Sequence, residues 1–444
     1  MAGSSSPEPA SAVRCALIVL DGLGDRPDDR TGGLSPVEAA FTPVLDGLVA
    51  QGWSDELSVL GPGIAPESDA GVFALLGYDP VRDSPGRGVL EAIGVGVPLA
   101  AGDVALRLNF ATVAADGRVL DSRVGRSLTT EEAAELARDL TAADLLAPEG
   151  IGAEVRATVG HRGVLWLRPR SGGALSANIS NPDPFYEKVG GMGTARQPVE
   201  ARLRACRPTD GTPAAARTAA AVNSFLDRAR ALLAPHPVNR RRARVGAREA
   251  TGLLVRNAGT VPEVPPEPFD RRYGVRGAAV TEMPVERGIA RLLGLEDRFV
   301  GPMTGDRDAG YRQRACVTLE LLARFGFVYV HLKGPDEPGH DGDAGRKLEV
   351  VEAIDRSFFG PFVAGLDRST TRVAVTADHA TPCALGAHSD DPVPLVVVGP
   401  GVAPGGGGAS SKFGVARRTS DPAALVRGQV LLPRLLAPSP ALPS

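Results

Sequence analysis

The chain has 444 residues, of which 43% are hydrophobic and 23% charged, with a formal net charge of −3. These are values of a globular protein with room for two or three domains, and the near balance of charge excludes a basic field for nucleic acid. No run approaches the ~18 apolar residues of a membrane span, so no membrane partner is expected. Cys15, Cys206, Cys316 and Cys383 are scattered without a CxxC pair, which fits a reduced, cytoplasmic protein. Residues 1–12 lack a secretory pattern and read as a disordered tail.

An apolar run over about 13–20 reads as a strand that leads to Asp21 and a glycine-rich turn. Residues 37–50 have helical spacing broken at Pro43. A Gly- and Pro-rich loop, 60–68, enters a helix at 70–77 and places Ser68 near the helix N-terminus, where backbone N–H groups favour anions. Residues 104–113 alternate like a half-buried strand before the Asp116-Gly117 turn. A capping box opens a helix at 129–140, a hairpin joins 154–159 to 163–167, and 214–233 form an Ala-rich helix. The arginines that follow Asn239 (Arg240, Arg241 and Arg242) read as solvated surface.

Helices over 284–293, 310–325 and 346–366 alternate with apolar runs at 327–331, 372–377 and 392–398. That alternation implies an α/β fold with a doubly wound, mostly parallel sheet. The middle lacks such alternation and reads as an inserted α+β domain, 101–264, splitting a sheet domain formed by 13–100 and 265–430. Residues 431–444 read as a second disordered tail.

Three of the strands end in residues that bind metals: Asp21 after the first, Asp336 and His340 after 327–331, and Asp378 and His379 after 372–377, with His388 downstream. Ligands of an open α/β sheet gather outside the carboxyl ends of its strands, so these residues are expected at one rim. A single Asp after a strand is ordinarily a helix N-cap, but the joint set can hold two divalent metals. Carboxylates and imidazoles suit Mn²⁺, Zn²⁺ and Mg²⁺, and such a pair clamps the oxygens of a phosphoryl group. A metal at Ser68 would activate its hydroxyl as a nucleophile. The phosphoryl group could then pass to water, as in a phosphatase, or to another hydroxyl, as in a mutase. Arg123 and Arg126 carry guanidinium forks suited to carboxylate and phosphate, and His161, Arg162 and Arg256 are further candidates. Lys333 stands beside the metal loop, where it could balance phosphate charge.

The motifs Val19-Leu-Asp-Gly-Leu-Gly-Asp25, Ser68-Asp69, Leu76-Gly-Tyr-Asp-Pro80, Gly86-Arg-Gly88 and Asn109-Phe-Ala-Thr112 occur in that order. They are followed by Lys333-Gly-Pro-Asp-Glu-Pro-Gly-His-Asp-Gly342, Asp378-His-Ala-Thr-Pro-Cys383 and His388-Ser389. Together they resemble cofactor-independent (2,3-bisphosphoglycerate-independent) phosphoglycerate mutase of the archaeal type, within the alkaline phosphatase superfamily. The resemblance implies an alkaline-phosphatase-like sheet and interconversion of 2-phosphoglycerate and 3-phosphoglycerate through a phosphoserine at Ser68. It also implies one metal set of Asp21, Ser68, Asp378 and His379 and another of Asp336, His340 and His388. Mn²⁺ is the expected metal, with Mg²⁺, Zn²⁺ and Co²⁺ as alternatives. The expected partner is a small phosphorylated substrate, and the oligomeric state is left open. In this reading 101–264 clamps the substrate.

The chain departs from the family pattern at Ser68-Asp-Ala-Gly-Val72, where Ser-Asp-Thr-Ala-His is usual, and at Leu254-Val-Arg-Asn-Ala-Gly259. This leaves three alternatives: a specialised paralogue acting on a phosphonate or phosphoglycerate-like compound, a metal-dependent phosphatase, or a non-catalytic binding protein. If the lost Thr and His were polar contacts to substrate, Ala70→Thr with Val72→His should raise mutase activity.

Overall fold

The computed structural model describes residues 13–189, 192–195, 198, 200–303, 305–406, 412–415, 425–440 and 442. The chain forms two compact units, one of residues 1–80, 267–282 and 293–444, the other of 81–266 and 283–292. The first boundary falls at Pro80, not near residue 100, and the second unit takes back 283–292. Close packing explains both differences. The helices Arg87–Gly94 and Pro284–Leu292 lie so near each other that a Cβ on Gly288 would stand 1.8 Å from the Leu90 carbonyl oxygen. The expected tail at residues 1–12 lies outside the described residues, as do 441, 443 and 444. The rest of the expected C-terminal tail is not all irregular: Gly428–Leu436 is helical and buries Leu431, Leu432 and Leu435.

In the first unit, a nine-stranded sheet runs in the order Glu296–Phe299, Gly277–Thr281, Phe327–Leu332, Arg14–Leu20, Thr371–Thr376, Val393–Val398, Trp53–Ser58, Gly405–Gly406, with Val426–Arg427 also paired to Trp53–Ser58. The central strand Arg14–Leu20 is parallel to both neighbours, with Val19 level with His331 on one side and Thr376 on the other. The three apolar runs therefore end together, as their acidic endings require. The strand Val393–Val398 departs from the expected direction and is antiparallel to Thr371–Thr376. Residues 377–392 that join these strands contain no helix to carry the chain back for a parallel crossover. Among the described residues no helix is long and apolar enough to cross a membrane.

The second unit carries a five-stranded antiparallel sheet of Val119–Asp121, Val104–Val113, Arg162–Pro169, Ile151–Ala157 and Gly252–Thr260. Val104, Leu106, Leu108 and Phe110 enter a core with Leu136, Val222 and Phe225 from the helices Thr130–Ala142 and Pro213–Leu233. Ala105 faces a second apolar cluster of Val89, Ala92, Val164 and Trp166. Because both faces are covered, Val104–Val113 is buried nearly throughout and not half exposed as its alternation suggests. Thr129 caps its helix with Glu132 in the expected reciprocal box. Asn239 and Arg242 are not solvated. They are buried in the helix Pro237–Arg244, where Arg242 binds Glu132 and the carbonyl oxygens of Ser127 and Arg248.

Candidate active site

Asp21 follows the central strand, and Asp378 and His379 follow its neighbour; a carboxylate oxygen of each Asp and a ring nitrogen of His379 lie within 4.8 Å of one another. Asp336, at the start of the helix Asp336–Asp341, forms a second such group with His340 and His388. Ser68 is the first residue of the helix Ser68–Leu75, with its Oγ 3.3 Å from His379 Nε2. All seven residues the resemblance names as metal ligands thus lie in these two groups or beside them.

The hydrogen bonds around the imidazoles orient their rings. His340 Nδ1 lies 3.0 Å from the Gly386 carbonyl oxygen and His388 Nδ1 lies 2.8 Å from that of Pro66. A carbonyl only accepts, so each Nδ1 carries a proton, and each Nε2 faces Asp336 Oδ1, at 3.4 and 3.5 Å. Thr381 Oγ1 donates to that same Asp336 oxygen at 2.7 Å and so accepts from His379 Nδ1 at 3.1 Å. His379 Nε2 then faces Asp378 Oδ2 at 3.4 Å and Asp21 Oδ1 at 3.5 Å. Those two buried carboxylate oxygens have no hydrogen-bond partner. Carboxylates gathered this closely need a cation among them, and imidazoles beside carboxylates are the usual donors of a divalent metal. The residues therefore fit two such ions.

In the metal-free chain protons take part of that role. Burial works against the charge on His379, but Asp378, Asp21 and Asp336 outweigh it and raise its pKa to about 9. Burial likewise lifts Asp378, while Asp21 is held well below the usual carboxylate range because Lys333, His331 and His379 overcome its desolvation. Lys333 Nζ lies 3.1 Å from Asp21 Oδ2. His331 stands out only in three dimensions, with its Nε2 3.5 Å from both Asp21 Oδ1 and Asp378 Oδ2 and its Nδ1 2.8 Å from the Tyr329 hydroxyl. The available signal was strand periodicity, which puts Tyr329, His331 and Lys333 on one face.

Two glycines let these elements close up. Gly22 has φ +61° and sits where a Cβ would be 2.7 Å from Asp336 Cβ, while its N–H donates to Asp378 Oδ1 at 3.1 Å. At Gly71 a Cβ would be 2.2 Å from the Asp378 carbonyl oxygen, so the helix bearing Ser68 rests directly on the backbone of a candidate ligand. Ala70 and Val72 beside it are buried, with Val72 only 1% exposed.

The other candidates lie in the second unit. His161 is pushed down to about 3 by burial and by the positive charges of Arg162, Arg123, Arg107 and Arg256. Arg256 pairs with Asp183 at 2.7 Å, both nearly inaccessible, and lies over the Tyr186 ring. Arg123 precedes a tight turn in which Val124, buried in the core, is held at φ +53°. Arg126, in the same turn, is exposed. Glu91 and Arg107 went unnoticed in the sequence, and Arg87 entered only within the motif Gly86-Arg-Gly88. Glu91 Oε1 is 3.1 Å from Arg87 Nε and 3.3 Å from Arg107 Nε, yet Arg107 Nε makes no aligned hydrogen bond. Burial and Arg87 lower Arg107 to about 9, which still leaves it charged at neutral pH. Positive groups outnumber carboxylates here, as an anion site requires.

A sheet whose carboxyl rim gathers Ser68, three aspartates and three histidines defines an α/β protein with a candidate two-metal centre suited to phosphoryl groups. A family model described as 2,3-bisphosphoglycerate-independent phosphoglycerate mutase matches residues 51–239. The enzyme of that name from Aeropyrum pernix is 45% identical over 388 residues, spanning 87% of this chain and 90% of its own. The chain belongs to this family of enzymes. The Methanopyrus kandleri member is 42% identical across 86% of both chains. Among solved structures, the cofactor-independent phosphoglycerate mutase of Thermoplasma acidophilum superposes with a TM-score of 0.59 at 32% identity, covering 96% of this chain and 99% of that one. The PH0037 protein of Pyrococcus horikoshii gives 0.75 at 28% identity, covering 96% and 97%.

Proposed function

We propose that the chain interconverts 2-phosphoglycerate and 3-phosphoglycerate by carrying the phosphoryl group on Ser68. The observation behind this reading is Ser68 Oγ at the head of its helix, 3.3 Å from His379 Nε2 and thus at the edge of a ligand group. Asp21, Ser68, Asp378 and His379 would hold one divalent ion and Asp336, His340 and His388 the other, with Mn²⁺ the proposed metal. When bound, the ions supply Lewis acidity and lower the pKa of the serine hydroxyl.

The side chains do the rest. Ser68 Oγ attacks phosphorus, the ester bond to glycerate breaks, and the proton lost from Ser68 is made up on the departing glycerate oxygen. After glycerate reorients, its other hydroxyl takes the phosphoryl group back, the bond to Ser68 breaks and Ser68 Oγ regains a proton, with no water consumed. Lys333, beside Asp21, offsets phosphate charge, and the N–H groups at the start of Ser68–Leu75 favour the anion. Arg107 and Arg87 join Arg123, Arg162 and Arg256 as candidate residues for binding the anionic groups of the substrate. Four scattered cysteines, three of them buried, accord with a reducing compartment, and the proposed location is the cytoplasm.

The test is turnover of 3-phosphoglycerate by Mn²⁺-loaded protein coupled to enolase. Ser68→Ala should lower kcat by roughly 10³-fold or more. Equal rates for wild type and Ser68→Ala would reject the nucleophile, and inorganic phosphate appearing faster than 2-phosphoglycerate would make the chain a phosphatase.

A further inference from the structure

Lys347 occupies an apolar position of an amphipathic helix. In Ala344–Ile354 the buried residues are Ala344, Lys347, Val350, Val351, Ala353 and Ile354, and Lys347 is 0% exposed. A buried ammonium group must be compensated. Its Nζ donates to the carbonyl oxygens of Thr381 at 2.9 Å, Gly22 at 3.0 Å and Gly24 at 3.2 Å, and pairs with Asp25 Oδ2 at 2.8 Å. Three backbone carbonyls and one carboxylate are the oxygen donors that also hold a bare monovalent cation.

We infer that Lys347 is a tethered monovalent cation that positions the candidate metal ligands by locking two loops together. One loop follows Asp21 and the other follows His379. Gly22, whose carbonyl Lys347 binds, donates its N–H to Asp378 Oδ1 at 3.1 Å. Thr381, whose carbonyl it also binds, donates Oγ1 to Asp336 and accepts from His379 Nδ1. The Gly24 carbonyl accepts from both Lys347 and the Thr381 N–H, and Asp25 accepts from the Cys383 N–H. One ammonium group therefore reaches Asp378, His379 and Asp336 through a single intervening residue each. Lys347 touches none of them, so its role is to position.

This rests on the two-metal reading above, and the test separates the two ideas. Lys347→Ala removes the ammonium and leaves the oxygens around an opening. Mn²⁺ affinity is measured by calorimetry, and thermal unfolding without Mn²⁺, in choline chloride and in potassium or ammonium chloride at equal ionic strength. In choline the variant should bind Mn²⁺ about 10- to 100-fold more weakly than wild type. Potassium or ammonium should reverse that loss and raise the unfolding temperature of the variant, with no such effect on wild type. Unchanged Mn²⁺ affinity in choline, or a loss that neither cation reverses, overturns the proposal. If wild type binds no Mn²⁺, the metal reading fails, and the salt dependence of unfolding alone decides the role of Lys347. Should Lys347→Ala not fold, Lys347→Met with Asp25→Asn removes the unpaired carboxylate charge as well; wild-type Mn²⁺ affinity in that variant also overturns the proposal.

Discussion

The imidazole rings of His379 and His388 stack, with centroids 3.7 Å apart and planes 21° from parallel. One ring belongs to each ligand group, so the two groups share a wall. Removing His388 deprives Asp336 of one of its two imidazoles and leaves the Asp21 group chemically intact. His388→Ala should therefore lower bound Mn²⁺ from about two ions per chain toward one. Elemental analysis after loading and desalting measures this, and an unchanged metal content would count against the assignment of His388.

Protonation supplies a second prediction. In the metal-free chain His379 is raised to about 9, because Asp378, Asp21 and Asp336 outweigh its burial. A raised pKa means that protonation favours the folded state fully below the unfolded value near 6.5, and that this contribution is lost as pH rises through about 9. Metal-free protein should thus lose stability between these values, and Mn²⁺-loaded protein should not. Mn²⁺ binding must expel the proton, so affinity should rise with pH across the same window, with proton uptake by buffer visible in calorimetry. Affinity independent of pH from 6.5 to 9 would contradict the assignment of His379 as a ligand.

His161 shifts the opposite way. Burial comes first, then Arg162, Arg123, Arg107 and Arg256, and together they lower it to about 3. Here protonation opposes folding, so stability is lost as pH falls below the unfolded value near 6.5 toward about 3. The ring signals of His161 in NMR should not titrate at physiological pH in free protein. Adding inorganic phosphate should shift its pKa upward by neutralising the arginines. A ligand-free midpoint near 6.5 would show that the arginines do not act on this ring.

The rim was legible in the sequence because its information is local. Each strand is a largely apolar run followed within a few residues by its chemistry at Asp21, Asp336 or Asp378, and the parallel register of Val19 with His331 and Thr376 aligns the endings. Residues that act across the chain were not legible. Lys347 looks like any helix lysine until its helix is seated against the carbonyls of Gly22 and Thr381, more than 30 positions away in either case. Arg107 and Glu91 lie on different elements, and nothing near either in sequence announces the other. The direction of Val393–Val398 was equally hidden, since a strand has the same apolar pattern whichever way it runs.

Packing also changes the meaning of the unusual segment after Ser68. In the sequence, the absent Thr and His looked like lost polar contacts to substrate. In the structure Val72 is 1% exposed and Ala70 is 7% exposed, so both face packed surroundings. A histidine at 72 would have to be buried there, which costs stability unless it finds a partner. Gly71 is the tighter constraint: an added Cβ would stand 2.2 Å from the Asp378 carbonyl oxygen, and backbone on both sides leaves no flexible end to yield. Gly71→Ala should destabilise by about 1–3 kcal/mol from overpacking and should lift Ser68 away from His379, weakening Mn²⁺ binding as well as turnover. Gly211→Ala, where a Cβ would meet nothing within 4 Å, is the control. Thermal unfolding and Mn²⁺ calorimetry on Gly71→Ala, Val72→His and the control decide the matter. If Gly71→Ala behaves like Gly211→Ala, or if Val72→His gains mutase activity without losing stability, the packing account of this segment fails.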